Sequence, residues 1–481
     1  MREVVYNAPM SGISRRSWWA LAFLVLAQFM LVLDVSIMNV ALPSIQQDYH
    51  FTETGVQWIV TAYTLAFGSF LLFGGRTADL YGRRRVFLVG LAAFTGVSLL
   101  IGILNSAQLL IPLRALQGFA GAFMSAAALS LVLTLFETPE GRTRSLAIWS
   151  AVSAGGATAG LILGGFLTQY LGWRWNFFIN VPLGILVFAG VWQLIPRHLE
   201  QSKSRSLDVL GAALVTGGLL ALVYAVSETS SWGWFSTPTL GLFALSIVLL
   251  AGFVYNESRL QHPLLPLRIL TRGNIAAADL IQLPMTASLF TMFFFISLYL
   301  QNVLGYAPFI AGLAFLPATA TIMTGAIVSP RVIKAIGYKP LLISGPLSTM
   351  LGLLYFAQIP VHGTYLLNVL PGLLLCAVGL GLTFTAISLA ATDGVPGHES
   401  GVVSGLLNTA RRLGGSIGLA ILTSAATAGT AVAAASGSAP QSALVSGFHA
   451  AFYVGAGFAS LASLIAALFV RSIPTEGVGR D

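Results

Sequence analysis

"GGRTADLYGRRRVF", residues 74–87, packs an aspartate, three consecutive arginines and three glycines into a chain that is otherwise poor in charge. Only 8% of the 481 residues are charged, 56% are hydrophobic, and the mean hydropathy is +0.85. These values lie far outside the range of soluble globular chains. The composition therefore indicates an integral membrane protein, in which such a charged stretch needs a specific explanation.

Apolar runs recur on both sides of this stretch, each about 20 residues long and able to cross roughly 30 Å of hydrocarbon as a helix. Only helices and closed barrels satisfy their backbone hydrogen bonds in lipid, and runs of this length favour helices. We predict an all-α bundle of fourteen membrane spans, at 18–40, 56–74, 87–104, 108–136, 145–169, 176–195, 207–226, 238–256, 275–302, 308–329, 340–358, 364–391, 401–427 and 445–470.

The basic residues of this chain, which carries a net charge of +8, are placed asymmetrically. With a cytoplasmic N-terminus, all but four of the 24 Lys and Arg residues fall in cytoplasmic segments; the exceptions are Arg114, Arg174, Arg411 and Arg412. The positive-inside rule then predicts a multi-pass protein of the cytoplasmic membrane with both termini in the cytoplasm. A nucleic-acid surface is disfavoured, because no soluble module with interleaved aromatic residues accompanies the charges.

Residues able to form a metal or catalytic site are scattered. The six histidines lie at loops or span ends without ligand spacing, and the single cysteine, Cys376, lies in an apolar segment typical of a buried small side chain. We therefore expect no metal, no cofactor and no enzymatic activity.

The polar segments divide the chain into six spans, a pair and six more. We predict an N-terminal half at 1–196, a linker with two additional spans at 197–273, and a C-terminal half at 274–481. "SPRVIKAIGYKP", residues 329–340, occupies the place in the second six that the opening stretch occupies in the first. This weak repeat suggests two related halves, an arrangement that transporters use to build a site at the repeat interface.

Charges inside the predicted spans are the strongest functional indicators, because each is costly in lipid unless it is paired or hydrated. At 1.5 Å per residue, Asp34 lies roughly 24 Å along the first span, and Arg114 lies roughly 9 Å below the outer surface. Their depths match, which predicts a proton switch in a hydrated cavity, with a static ion pair as the alternative. Asp279, about 7 Å into span nine, is a second candidate acid, or else a hydrated carboxylate at the membrane edge.

These stretches match a known pattern. "GGRTADLYGRRR" resembles the loop between helices two and three of the major facilitator superfamily, with Gly75, Asp79, Gly82, Arg83 and Arg84 in the expected places. Four further stretches resemble motifs of its fourteen-helix drug:proton antiporter branch, the EmrB/QacA type: "LDVSIMNVALP" (33–43), "IPLRALQG" (111–118), "WRWNFFINVPLG" (173–184) and "SGLLNTARRLGGSIG" (404–418).

The fifth-helix antiporter motif of that branch is only partly kept. "GGATAGLILGG", residues 155–165, retains Gly156, Gly160, Gly164 and Gly165 but has Leu161 where the family has proline. Small residues at four-residue spacing let two helix backbones approach closely, so tight helix packing is predicted. The missing proline weakens the expectation of proton exchange.

The resemblance implies alternating access, in which two halves rock about a central cavity. It implies a cytoplasmic conformational latch formed by Gly75, Asp79, Gly82, Arg83 and Arg84, with the two glycines allowing a tight turn. Polar residues expected to line the substrate cavity, unless they serve interhelical hydrogen bonds, are Gln28, Asn39, Gln57, Asn180, Gln282, Gln301 and Arg411.

The function implied is proton-coupled efflux of amphipathic drugs or toxic small molecules, lipophilic or cationic, by a monomer that uses the proton gradient as its energy source. Two alternatives stay open. One is a dedicated exporter of a single endogenous metabolite, lipid or antibiotic, and the other is a role without transport, as a sensor or scaffold. Substrate identity is not encoded in any of the motifs, because cavity shape determines it.

Overall fold

The structure, a computed structural model, describes residues 15–136, 138–196, 208–260, 267–271, 273–393 and 400–471, and all regular elements within these ranges are helical. They form fourteen rods: α1 (Arg15–Tyr49), α2 (Glu53–Tyr81), α3 (Arg83–Ile103), α4 (Ala107–Leu135), α5 (Pro139–Tyr170), α6 (Trp175–Leu194), α7 (Val209–Ser227), α8 (Thr237–Arg259), α9 (Ile275–Val303), α10 (Pro308–Ile336), α11 (Lys339–Phe356), α12 (Tyr365–Thr392), α13 (Ser400–Ala435) and α14 (Pro440–Phe469).

Several rods are locally irregular. Two π-helical segments, Thr291–Phe295 and Tyr299–Val303, lie in α9, and α12 opens with another at Tyr365–Val369. Short turns at Ile179 and Phe315 interrupt α6 and α10. Outside the rods lie a one-turn helix at Thr229–Trp232 and a 3₁₀ segment at Leu267–Thr271.

The rods agree with the predicted spans. In the described part of the chain, eleven helices are long and apolar enough to cross a membrane. The remaining rods are α2, whose apolar part is Gly55–Leu71, together with α5 and α11. The predicted all-helical multi-pass membrane fold is confirmed, and the fourteen rods are consistent with the predicted count.

Short connections join most successive rods, so neighbours in the chain run in opposite directions. We call the end where α1 begins the near end and the end where α1 finishes the far end. Gly82 joins α2 to α3 with φ +95°, and Gly337 ends α10 with φ +77°, so the two repeated stretches share a turn that favours glycine. Gly75, in contrast, lies inside α2, where a Cβ would make only an ordinary 3.8 Å contact with Ala126. The prediction that Gly75 helps the chain to turn is wrong, because the helix continues past it to Tyr81.

Helix packing groups the rods by position in the chain. In the first six, α1 packs on α5 and α2 on α4; in the last six, α9 packs on α13 and α11 on α12. The pair α7 and α8 packs together, and α7 also contacts both α2 and α13. The two groups of six meet where α2 contacts α13 and where α5 contacts the start of α10.

Hydrogen bonds between the two groups lie in the middle of the bundle and toward its far end. Thr64 and Ser416 share a hydrogen bond of 2.7 Å between α2 and α13. Ser297 Oγ donates to the Asn39 carbonyl over 2.7 Å, and the Phe309 amide donates to Gln169 Oε1 over 3.2 Å. The described contacts thus close the bundle at its far end.

Helix α7 covers the line along which α2 and α13 meet. Its Leu219 and Val223 form a buried apolar cluster with Leu65 of α2 and Ala420 of α13. Ser424 Oγ of α13 donates to the Val226 carbonyl over 3.1 Å. The additional pair of helices is therefore attached to both groups rather than to one.

Candidate functional site

Asp34 of α1 and Arg114 of α4 form an ion pair inside the bundle. Arg114 Nη1 lies 2.7 Å from Asp34 Oδ2, and each side chain is 1% exposed. The matched depths predicted from helix rise therefore correspond to direct contact. The prediction that the pair lies in a hydrated cavity is wrong for this structure, because the surrounding helices bury both charged side chains.

Two amide side chains complete the coordination of the Asp34 carboxylate. Gln117 Nε2 donates to Oδ1 over 3.0 Å, and Asn180 Nδ2 donates to the same oxygen over 3.1 Å. Gln117 also donates to Ser98 Oγ over 2.8 Å. The carboxylate thus joins α1, α4 and α6, and α3 is linked to it through Ser98.

The Arg114 guanidinium is held by more than the carboxylate. Its Nη1 donates to Gln117 Oε1 over 2.6 Å, and its Nε donates to the Ile59 carbonyl over 3.2 Å. The Tyr63 ring lies 4.4 Å from the guanidinium carbon and the Phe177 ring 5.7 Å from it. Planar guanidinium groups favour such combined hydrogen bonding and ring contact, which fixes their orientation.

This arrangement balances one negative charge against one positive charge in the buried interior of the bundle. Removing one member of a buried ion pair typically costs about 3–5 kcal/mol, because the remaining charge is left buried and unpaired. The charged carboxylate and its hydrogen bonds therefore hold α1, α4 and α6 together.

Among the side chains that contact this pair, Gln117 and Tyr63 were not identified from the sequence, and Asn180 was given a different role. Gln117 lies three positions after Arg114, and residues at that spacing share a helix face, so this signal was present in the quoted motif. Asn180 was assigned to the substrate cavity instead. Tyr63 comes from a different helix, and nothing in its local sequence distinguishes it from other aromatic residues of the spans.

Asp279 of α9 lies apart from this network. Both of its carboxylate oxygens are buried and have no hydrogen-bond partner among the described residues. The alternative of a hydrated carboxylate at the membrane edge is therefore not what the structure contains. An unpaired acid in a membrane span is costly when charged.

The residues predicted to form a latch lie at the end of α2, in the turn after it and at the start of α3. Arg84 is 6% exposed, donates to the Trp192 carbonyl over 2.9 Å and lies against the Trp192 ring. Arg83 donates to Thr134 Oγ1 of α4. Arg84 thus holds α3 to α6 and not to the second group of helices, contrary to the expected latch. The side chain of Asp79 lies outside the described part of the structure.

The four glycines of α5 lie in contact with neighbouring helices. A Cβ at Gly156 would lie 3.3 Å from Phe29, one at Gly160 would lie 2.6 Å from Ser36 Cβ, and one at Gly164 would lie 2.9 Å from Ile37 Cα. Gly165 faces α10, where a Cβ would lie 2.6 Å from the Pro308 carbonyl oxygen. Leu161, at the expected proline position, is buried within α5, which is unbroken from Pro139 to Tyr170.

The amides predicted to line a substrate cavity mostly bind elsewhere. Asn180 binds Asp34, and Gln301 Nε2 donates to the Val40 carbonyl over 3.2 Å. Gln282 bonds Thr286 one turn along α9, and Asn39 donates to the Val35 carbonyl over 3.4 Å. For these four residues, a role in local or interhelical hydrogen bonds fits the structure better than a role in lining a substrate cavity. Gln28 and Gln57 also have interaction partners.

Arg411 and Arg412 lie side by side on α13, facing different helices. The Arg411 guanidinium lies 5.2 Å from the Phe384 ring of α12, and the Arg412 guanidinium lies 4.2 Å from the Phe67 ring of α2. No group of three or more His, Cys, Asp or Glu side chains able to hold a metal ion occurs in the described ranges.

A bundle of apolar helices with a buried charge pair defines a multi-pass membrane protein with ionisable groups in its interior. Comparison with known families identifies its kind. Residues 24–419 match the model of the Major Facilitator Superfamily. The chain belongs to this family of transporters, and the family predicted from its motifs is confirmed.

Sequence relatives cover most of the chain. The puromycin resistance protein pur8 of Streptomyces alboniger is 37% identical over 462 residues, which are 95% of this chain and 91% of that protein. The cephamycin export protein CmcT of Amycolatopsis lactamdurans is 37% identical over 89% of each chain. The multidrug resistance protein Stp of Mycobacterium tuberculosis H37Rv is 36% identical over 82% of this chain and 73% of that protein.

Solved structures resemble the fold at low sequence identity. The POT family transporter PepTSo matches with a TM-score of 0.69 at 15% identity, covering 95% of this chain and 98% of that chain. A nucleoside transporter, NupG, matches with a TM-score of 0.63 at 11% identity, covering 94% of this chain. At these identities the likeness concerns the fold alone.

Proposed function

We propose that this protein exports amphipathic drugs or toxic small molecules across the cytoplasmic membrane in exchange for protons, by alternating access. The observation that carries the proposal is the buried pair of Asp34 and Arg114, in a chain whose relatives are named as resistance and export proteins. A buried ionisable pair inside a transporter's helices is a means of converting proton binding into helix movement.

Protonation of Asp34 is the proposed coupling step. The charged carboxylate holds Arg114, Gln117 and Asn180, and so holds α1, α4 and α6 together. A proton on Asp34 neutralises the anion and leaves the buried Arg114 charge unbalanced, which favours a rearrangement that hydrates or re-pairs it. Release of the proton on the opposite side restores the pair and resets the cycle.

Asp279 is proposed as a second proton carrier. It lies on α9, in the second group of helices, and its two carboxylate oxygens are buried with no hydrogen-bond partner among the described residues. An acid in this setting is more stable when neutral. One acid on each side of the bundle would allow both groups of helices to respond to the proton gradient.

The glycine-lined contact of α1 and α5 supports movement at the coupling site. Gly160 lies against Leu33, the residue before Asp34, and against Ser36, two residues after Asp34 on α1. Backbones in direct contact can slide without side chains interlocking, so this contact is suited to transmit a displacement of α1. We propose that Gly82 and Asp79 serve the near-end latch, with Arg83 and Arg84 fixing the helices behind it.

Orientation follows from the positive-inside rule, which favours a cytoplasmic near end and both termini in the cytoplasm. We propose that the protein works as a monomer with one small-molecule substrate site, without a cofactor, and that the proton gradient supplies the energy. The far-end contacts between the groups then correspond to a conformation closed toward the outside.

A dedicated exporter of one endogenous compound is the second candidate. The names of two relatives favour it, because one is described as a cephamycin export protein and the other as a puromycin resistance protein. Transport of a single compound with no movement of dyes or lipophilic cations would select this candidate.

Transport into liposomes tests the proposal. Purified protein in liposomes with an acid interior is offered lipophilic cations, neutral drugs and lipids from outside. Gradient-dependent uptake of any class supports exchange with protons, and uptake should vanish when a protonophore is added. Absence of gradient-dependent uptake for every class would instead favour a role without transport.

A further inference from the structure

We propose that Arg411 binds an anionic group, foremost the carboxylate of an amphipathic small molecule, and that the neighbouring charge of Arg412 strengthens the positive potential at this site. This inference rests on the proposed export function and narrows its substrate class. It differs from the expectation that cationic substrates are carried, because it assigns a negatively charged group to the ligand.

Both arginines lie within the membrane span Gly405–Ala435. Within the described ranges neither forms an ion pair; the pairs there join Arg114 to Asp34 and Arg174 to Asp48. Arginine in a span is costly and is normally balanced by an acid or another acceptor. Among the described residues, the two adjacent positive charges of α13 are thus not offset by an acid.

Aromatic rings support each guanidinium on one side. Phe384 lies 5.2 Å from the Arg411 guanidinium carbon, and Phe67 lies 4.2 Å from that of Arg412. A guanidinium near an aromatic ring is oriented by the ring, and its N–H groups stay available to an acceptor. Such a fork matches the geometry of a carboxylate or phosphate, which it binds through two parallel hydrogen bonds.

The Arg411 side chain is reachable from outside the packed core. It is exposed, as is Asn408 three positions earlier on the same face of α13. An arginine in a span faces a water-filled cavity rather than lipid, because exposure to hydrocarbon is costly. Since α13 also contacts α2 of the first group, this polar face lies beside the line where the two groups meet.

Two sources could supply the anionic group: the exported molecule or the headgroup of an acidic lipid. Both present oxygen atoms that a guanidinium recognises in the same way. They differ in whether a soluble ligand competes for the site in a membrane without acidic lipid.

The test compares 1-pyrenebutyrate with 1-pyrenebutyramide, which share a ring system and chain but differ in charge. Binding is measured by energy transfer from tryptophan to pyrene, with the full-length protein in nanodiscs of phosphatidylcholine. We expect the acid to bind about tenfold more tightly than the amide, the order of magnitude of one charge-assisted hydrogen bond. Arg411→Gln should remove this preference and leave amide binding unchanged, and Arg411→Lys should restore part of it.

Arg331→Gln serves as the matched control, because Arg331 is exposed on α10 and lies outside the proposed site. A second set of nanodiscs contains phosphatidylglycerol, whose retention is followed by native mass spectrometry. Phosphatidylglycerol retention that depends on Arg411, without preference for pyrenebutyrate, would assign the site to lipid and overturn its role in substrate binding. Equal binding of the acid and the amide, without phosphatidylglycerol retention that depends on Arg411, would overturn the anion site. A preference for the acid that survives Arg411→Gln would also overturn it.

These measurements need no proton gradient. A failure of proton-driven efflux would therefore count against the proposed function without changing the binding result. A loss of the preference for the acid would count against the anion site without changing the efflux result.

Discussion

Gln117 and Asp34 are joined across the contact of α4 and α1 by a 3.0 Å hydrogen bond from Nε2 to Oδ1. The same side chain accepts a hydrogen bond of 2.6 Å from Arg114. One amide therefore touches both members of the buried pair, and its orientation is fixed by Ser98 behind it. This relationship makes Gln117 the residue that sets the geometry of the pair.

We expect Gln117→Leu to change the pH dependence of efflux while the protein remains folded. Hydrogen bonds to charged groups contribute about 1.5–3 kcal/mol, so losing one alters the balance between the two protonation states of the site. Initial efflux rates in liposomes are measured across a range of pH values. Gln193→Leu, at an exposed position of α6, is the control, and an unchanged pH profile for Gln117→Leu would remove Gln117 from the network.

Arg114→Lys should lose most proton-driven efflux although the charge is conserved. A lysine ammonium cannot reproduce the guanidinium contacts with Asp34, Gln117 and the Ile59 carbonyl together. Efflux of a transported probe is the measurement. Arg174→Lys, in a partly exposed pair with Asp48, is expected to stay close to wild type. Equal activity of the two lysine variants would contradict the proposed role of Arg114.

Gly160→Ala should destabilise the protein and slow transport. Its Cβ would lie 2.6 Å from Ser36 Cβ and 3.1 Å from the Leu33 carbonyl oxygen. Overpacking of this kind typically costs about 1–3 kcal/mol. Gly96→Ala is the matched control, since nothing lies within 4 Å of a Cβ at Gly96 in α3. Thermal unfolding in detergent should separate the two variants, and equal melting temperatures would show that α1 and α5 are not in tight contact.

Closing the far end covalently should stop transport. Gln169→Cys and Phe309→Cys place thiols on α5 and α10 where the two groups of helices meet. A short thiol-reactive cross-linker should abolish uptake, and a cleavable one should allow its recovery. The native Cys376 is buried. Tyr49→Cys with Asn105→Cys, a pair within the first six helices, is the control. Full transport by the cross-linked α5 and α10 pair would contradict alternating access.

The sequence predicted this site to the extent that helix geometry determines it. The rise per residue placed Asp34 and Arg114 at one depth. The apolar runs located all fourteen rods, and most of the predicted ends lie within several residues of the observed ones. Tyr63 could not be predicted, because the neighbours of a helix face depend on how separate rods pack. The role of Gly75 was misjudged since a glycine near a turn motif need not take part in the turn.

Arg84 shows the same limit. Its basic side chain follows a turn glycine, a position typical of topology and latch residues, yet the structure buries it against Trp192 of α6. Local sequence does not reveal that α6 ends beside the start of α3. Asn180 was likewise assigned to a cavity because its link to Asp34 spans 146 positions.

The most direct test of the account is proton movement driven by substrate in liposomes that contain a pH-sensitive dye. Addition of a transported compound should move protons through the wild-type protein, and Asp34→Asn should abolish this movement. A cooperative thermal unfolding transition of Asp34→Asn shows that the variant is still folded. Asp48→Asn, also on α1 but 47% exposed, is the control and should behave as wild type. Substrate-driven proton movement of wild-type size in Asp34→Asn would contradict the claim that the buried pair couples export to protons.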